Sequence, residues 1–222
     1  MGSIRDAILR GDRTAFERHV SQATSSGESV KDLINKSDGL MLTRPLHIAA
    51  EAGNTDLIDR LLELGANPLG DDQEGATALH YASSAGMVEV VVKLAEKTPF
   101  KLDVRDNSGD TPLHWAAAHG HTEVVDALIS GGANVDSTNK ALWTPLHVAA
   151  RTGFSNVVIS LLDHSASVKT VNAIGNIPLH EACTCKHTVA VDKLLQYGSN
   201  ANFQNDKGLT ALHYACLVSQ VA

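Results

Sequence analysis

The chain has 222 residues, 43% of them hydrophobic but only 4% aromatic, so it can bury a core, and that core must be built from Leu, Val, Ile and Ala. Eighteen basic against 25 acidic residues give a formal charge of -7, and no basic run is present to neutralise a phosphate backbone, which argues against nucleic acid as a partner. No apolar stretch is long enough to span a bilayer, and the three cysteines, Cys183, Cys185 and Cys216, are too few and too crowded for a disulfide framework; the expected setting is reducing, intracellular and cytoplasmic.

Along the chain, Asp6-Ala7-Ile8-Leu9-Arg10-Gly11-Asp12, with Phe16 and Val20 behind it, predicts a pair of helices joined at Gly11. The polar run Ser21 to Ser29 then reads as a long mobile loop. Gly53 follows Gly11 by 42 residues, nine more than the spacing found further on, and the excess falls there. From Pro45 a Pro/Ala-Leu-His signature recurs six times, with its histidines at 47, 80, 114, 147, 180 and 213, spaced by 33, 34, 33, 33 and 33. Each copy predicts the same local structure. Thr111 can cap a first helix, Pro112 suits its first turn, and Gly120 can end it in the left-handed region. Val124, Val125, Leu128 and Ile129 then carry a helical apolar stripe, and Gly132-Ala133-Asn134 turns the chain. The third copy has one extra residue around Thr98-Pro99-Phe100, the sixth has Lys186 in place of the helix-ending glycine, and the last stops at Ala222 without a second helix.

The Thr-Pro-Leu-His segments, the glycines six residues later and the Gly-Ala-Asn turns together resemble the ankyrin repeat, over nearly the whole chain. The resemblance implies a mainly α solenoid of β-turn fingers and paired antiparallel helices. We divide it into about seven units: an N-terminal cap at 1–36, repeats at 37–71, 72–105, 106–138, 139–171 and 172–204, and a truncated unit at 205–222. No unit buries its own apolar face, so stability comes from stacking.

The candidate chemistry is sparse. The repeat histidines, one per unit and so roughly 8–10 Å apart, are too far from one another to share a zinc ion, and each is expected to bond the turn backbone and join neighbouring units. Cys183-Thr184-Cys185-Lys186-His187 lacks a fourth metal ligand, and Cys183 takes the place of the small Ala50, Ser83, Ala117 and Ala150. No nucleophile elbow, phosphate loop or zinc-protease motif is present. The expectation is therefore a monomeric, non-catalytic module that binds another protein, without cofactor or metal. The alternative is the targeting or regulatory part of a larger enzyme or membrane protein. The resemblance implies contacts at the fingertips and along the groove side of the first helices. At the fingers these are Gln73, Glu74, Ala76, Asn107, Ser108, Asp110, Lys140, Ala141, Trp143, Ala173, Ile174 and Asn176. On the helices they are Glu51, Ala85, Ala118, His119, Arg151, Thr152, Thr184 and Cys185. Trp143 reads equally as an anchor for a partner or as a ring packed on its own finger. Tyr81, Trp115 and Tyr214, each following a repeat histidine, read as packing residues.

Overall fold

A proline in the first turn needs no amide donor, so each Pro-Leu-His starts a helix without cost. The computed structural model, which describes residues 3–37, 42–98 and 101–219, has such a proline at the start of α4 (Pro45–Glu51), α8 (Pro112–His119), α10 (Pro145–Thr152) and α12 (Pro178–Thr184). Alanine takes its place in α6 (Ala78–Ser84) and α14 (Ala211–Ser219). Each of these first helices except α14 is followed by an antiparallel second helix: α5 (Thr55–Glu63), α7 (Val88–Lys97), α9 (Thr122–Ser130), α11 (Ser155–Asp163) and α13 (Thr188–Gln196). The first unit holds α1 (Ile4–Leu9), α2 (Arg13–Ser26) and α3 (Val30–Asn35). First helices stack on first helices from α4 through α14, and second helices on second helices from α5 through α13.

The core runs the length of this double row. Leu46, Leu79, Leu113, Leu146 and Leu179 occupy one register position and are all buried, as are Ala50, Ala117 and Ala150, which let the helices approach closely. Cys183, at the alanine position, is half-buried, and its burial pushes the thiol pKa up. At the far end nothing described covers α14, and Leu212, the sixth member of the leucine series, is 69% exposed.

The loop expected at Ser21–Ser29 is a correction. Ser21 to Ser26 continue α2, and only Gly27 (φ 74°) and Glu28 separate it from α3, which Ser29 caps by accepting from the Asp32 amide at 3.2 Å. Phe16, Val20 and Ala23 keep one face buried, while the hydroxyls of Thr24, Ser25 and Ser26 bond back to the carbonyls of Val20, Ser21 and Ala23. Short polar side chains thus satisfy themselves on the helix they occupy. Six of the nine residues from Ser21 to Ser29 are thus helix, and the other three form a tight turn into α3. Pro99 and Phe100, in the irregular third copy, lie outside the described residues, as do the last three residues, Gln220 to Ala222.

Lys186 does adopt the left-handed backbone of the glycines it replaces, at φ 60°. The glycines carry a second constraint. A Cβ on Gly53, Gly86, Gly120 or Gly153 would meet Met87, His121, Phe154 or His187 of the next unit at 2.3–2.7 Å. These residues therefore need both the positive φ and the missing side chain.

Candidate functional site

The repeat histidines tie the first helices to the neighbouring backbone. The Nδ1 atoms of His80, His114 and His147 accept from the main-chain N–H of Thr77, Thr111 and Thr144 at 3.1–3.2 Å. A main-chain N–H can only donate, so the proton sits on Nε2. That proton is donated to the next finger: from His80 to the Asp110 carbonyl, from His114 to Trp143, from His147 to Asn176 and from His180 to Leu209, at 2.9–3.1 Å. His47 departs from this and bonds the Gly70 carbonyl at the end of its own unit, at 2.9 Å. Both nitrogens of these buried rings are thus committed to the backbone. Burial pushes the pKa of His47, His80, His114 and His147 below the ordinary value of 6.5. Among the described residues no three His, Cys, Asp or Glu side chains gather as a metal site would require. No helix there is long and apolar enough to cross a membrane.

The fingers are joined edge to edge. The amide of Asn107 donates to the Glu74 carbonyl at 2.7 Å, that of Lys140 to Ser108 at 3.0 Å and that of Ala173 to Ala141 at 3.0 Å. Side-chain bonds add to this: Asn107 Nδ2 to the Gln73 carbonyl at 2.9 Å and Lys140 Nζ to the Asn107 carbonyl at 2.7 Å. Gln73, Glu74, Asn107, Ser108, Lys140 and Ile174 are exposed along this edge, and Glu51, His119, Arg151 and Thr152 are exposed on the first helices. Three expected contacts instead serve the fold, Ala76, which is fully buried, Asn176 and Asp110. Asn176 is 2% exposed, donating to Glu181 Oε1 at 2.9 Å and accepting from Asn205 Nδ2 at 2.7 Å. Asp110 is half-buried and accepts from Asn139 Nδ2 at 2.7 Å. The last two sit at the finger base, where the main-chain carbonyl also receives a histidine, and the Asn176 side chain is closed off from solvent.

The residue after each histidine reaches nine positions back to the finger. Tyr81 donates its hydroxyl to Asp72 Oδ2 at 2.7 Å, Trp115 its indole N–H to Asp106 Oδ2 at 2.9 Å, and Tyr214 accepts from Asn205 at 3.0 Å. Burial, the Asp72 bond and the charge of Glu51 raise the Tyr81 pKa far above its usual value. In the sixth unit this position is Glu181, 2% exposed, which sequence reasoning missed. Its Oε1 accepts from Asn172 at 3.1 Å and from Asn176, and its Oε2 from Arg151 at 3.0 Å. Arg151 in turn lies over the Trp143 ring, 5.3 Å from its centroid, while 53% of its own side chain faces solvent. Trp143 packs at 6.0 Å against His147 of its own unit and is half-buried. The buried carboxylate thus fixes an exposed guanidinium over an indole.

Comparisons with known proteins agree with this architecture. A segment of the human ARF GTPase-activating protein GIT1 is 43% identical over 54 residues, which is 24% of this chain and 7% of that protein, and the mouse protein matches equally. The chain therefore spans only a small part of the length of these relatives. The crystal structure of the ankyrin repeat domain of Bcl-3, described as a unique member of the IkappaB protein family, superposes with a TM-score of 0.80 at 26% identity, covering 97% of this chain and 94% of that one. The family model for ankyrin repeats matches three times, at residues 20–106, 98–172 and 167–221. The repeated histidine caps, the paired helices and these matches lead to one conclusion: the chain belongs to the ankyrin-repeat family.

Proposed function

We propose that this chain is a non-catalytic module that binds a partner protein across its concave face and fingers, with Trp143 and Arg151 as the anchor. Ankyrin repeats are in general protein-interaction modules. The observation that carries the reading is the Glu181–Arg151–Trp143 stack. Tryptophan and arginine dominate binding energy at protein interfaces, and a guanidinium already held in place loses less entropy on binding. Gln73, Glu74, Asn107, Ser108 and Lys140 extend the surface along the fingers, and Glu51, His119, Thr152 and Ile174 extend it across the groove. On the cysteine pattern we place the module in the cytoplasm, as a monomer.

The test is affinity capture with wild-type protein and an Arg151→Lys/Trp143→Leu variant, with circular dichroism as the check on folding. Lysine keeps a cation for Glu181 but loses the planar stack. A partner retained by the wild type should be depleted at least tenfold by the variant; equal capture by a folded variant would refute the assignment. A second reading, a targeting or regulatory segment within a larger enzyme or membrane protein, is favoured by one observation: the GIT1 match occupies 7% of a GTPase-activating protein.

A further inference from the structure

We propose that the part of the concave face between the second and fourth units receives a basic, extended segment of the partner protein, with an arginine or lysine seated on the rings of Tyr81 and Trp115. This rests on the reading of the concave face as the binding surface. The two rings are half-buried, with centroids 6.0 Å apart and planes at 51°. Tyr81 packs against His47 at 5.2 Å and Trp115 against His80 at 5.3 Å, so each ring is braced by a repeat histidine while part of its surface stays exposed. An aromatic face at a groove attracts a cation.

The carboxylates beside the rings say which charge fits. Asp72 Oδ1 accepts from the amides of Glu74 and Ala76 at 2.9 and 2.8 Å, and Asp106 Oδ1 from those of Ser108 and Asp110 at 2.8 and 2.9 Å. Asn139, Asn172 and Asn205 do the same in the following fingers, at 2.9–3.1 Å. An amide oxygen is therefore sufficient for the turn, and Asn205, whose Nδ2 donates to the Tyr214 hydroxyl at 3.0 Å, shows that an amide also serves a tyrosine, so the negative charge at 72 is not required by the fold; at 106 the second oxygen is the acceptor of the Trp115 indole N–H. Among the described residues neither carboxylate has an ion-pair partner, and every hydrogen bond each accepts comes from a neutral donor, whereas Glu181 has Arg151. Glu51 and Glu74, both exposed, add to the same sign. Of the cations nearby, Arg105 and Lys140 donate to the carbonyls of Gly109 and Asn107 at 2.9 and 2.7 Å, Arg44 pairs with Asp71 at 3.3 Å, and Arg5, whose charge reaches the Tyr81 hydroxyl, donates to the Thr43 hydroxyl at 3.0 Å.

Adjacent units lie about 10 Å apart, and an extended chain rises about 3.3 Å per residue, so basic residues three positions apart would meet Asp72 and Asp106 in succession. The probe is a fluorescein-labelled nine-residue Gly/Ser peptide with arginine at its second, fifth and eighth positions. Comparison peptides carry glutamate at those positions, or three consecutive arginines. Binding is read by anisotropy to the full chain at low and moderate salt. The spaced arginine peptide should bind, and weaken as salt rises; the glutamate peptide should not bind. Asp72→Asn, whose turn and tyrosine contact asparagine supports, should weaken it at least tenfold. The same charge change on a second helix, Glu89→Gln, should leave it within twofold. Equal binding of the glutamate peptide, equal binding of consecutive arginines, or equal loss in both variants would overturn the proposal. If the captured partner is lost with Arg151→Lys/Trp143→Leu but kept with Asp72→Asn, the binding face stands and the basic segment does not.

Discussion

Glu181 is the buried charge that joins the fifth and sixth units, and its removal should be the most damaging of the changes near the groove. In Glu181→Ala two buried amide donors, Asn172 Nδ2 and Asn176 Nδ2, lose their acceptor. Each unsatisfied donor costs about 1–3 kcal/mol. Relief from burying a carboxylate offsets part of this, and Arg151, already half in solvent, is rehydrated at little cost. The net expectation is about 3 kcal/mol. Glu181→Gln keeps Oε1 as acceptor for both asparagines and loses only the attraction to an exposed arginine, so about 1 kcal/mol is expected. Urea unfolding followed by far-ultraviolet circular dichroism gives the total. Tryptophan fluorescence follows the loosening of Arg151 from Trp143. If Glu181→Ala costs no more than Glu181→Gln, the asparagine bonds do not matter to stability and the network reasoning is wrong.

Two further outcomes follow from the backbone ladder. His147→Ala should cost about 1–3 kcal/mol, because the Thr144 amide and the Asn176 carbonyl both lose a buried partner. The same rings make stability depend on pH. His47, His80, His114 and His147 have folded pKa values below 6.5, so the unfolded chain takes up protons first as pH falls. Their contribution is complete above about pH 6.5 and declines below it, by up to about 1.4 kcal/mol per pH unit for each ring. Unfolding midpoints measured from pH 7.5 to 5 check this; a flat profile would contradict it. The helix-ending position gives a contrast in sign. Lys186→Gly should stabilise by about 1 kcal/mol, since it relieves a left-handed lysine. Gly153→Ala should destabilise by more than that, because its Cβ would stand 2.3 Å from the His187 ring. Equal and small shifts in thermal melting would refute the contrast.

The fold is legible in the sequence because each repeated residue performs a local task that does not depend on distant contacts. Proline starts a helix, threonine and histidine cap it, glycine ends it, and the spacing of 33 or 34 repeats the result. Ser21–Ser29 was misread because serine-rich polarity resembles a loop, although the spacing of Phe16, Val20 and Ala23 already carries a helical face. The binding face is harder to read for a related reason. Finger positions differ from unit to unit, and variation looks like adaptation to a partner. At Asn176 and Asp110 the variation instead reflects how each finger base satisfies its own neighbours, and neighbours 29 residues away cannot be seen in a local pattern. Glu181 shows the same limit: an acid where other units carry Ile48, Tyr81, Trp115, Val148 and Tyr214 is explained only by Asn172, Asn176 and Arg151 converging on it. Where the neighbour's requirement is known, the argument can be reversed. Asn139, Asn172 and Asn205 show what the turn needs and Asn205 what a tyrosine needs, so the charge on Asp72 is left for another cause, and the concave face is where that cause would act.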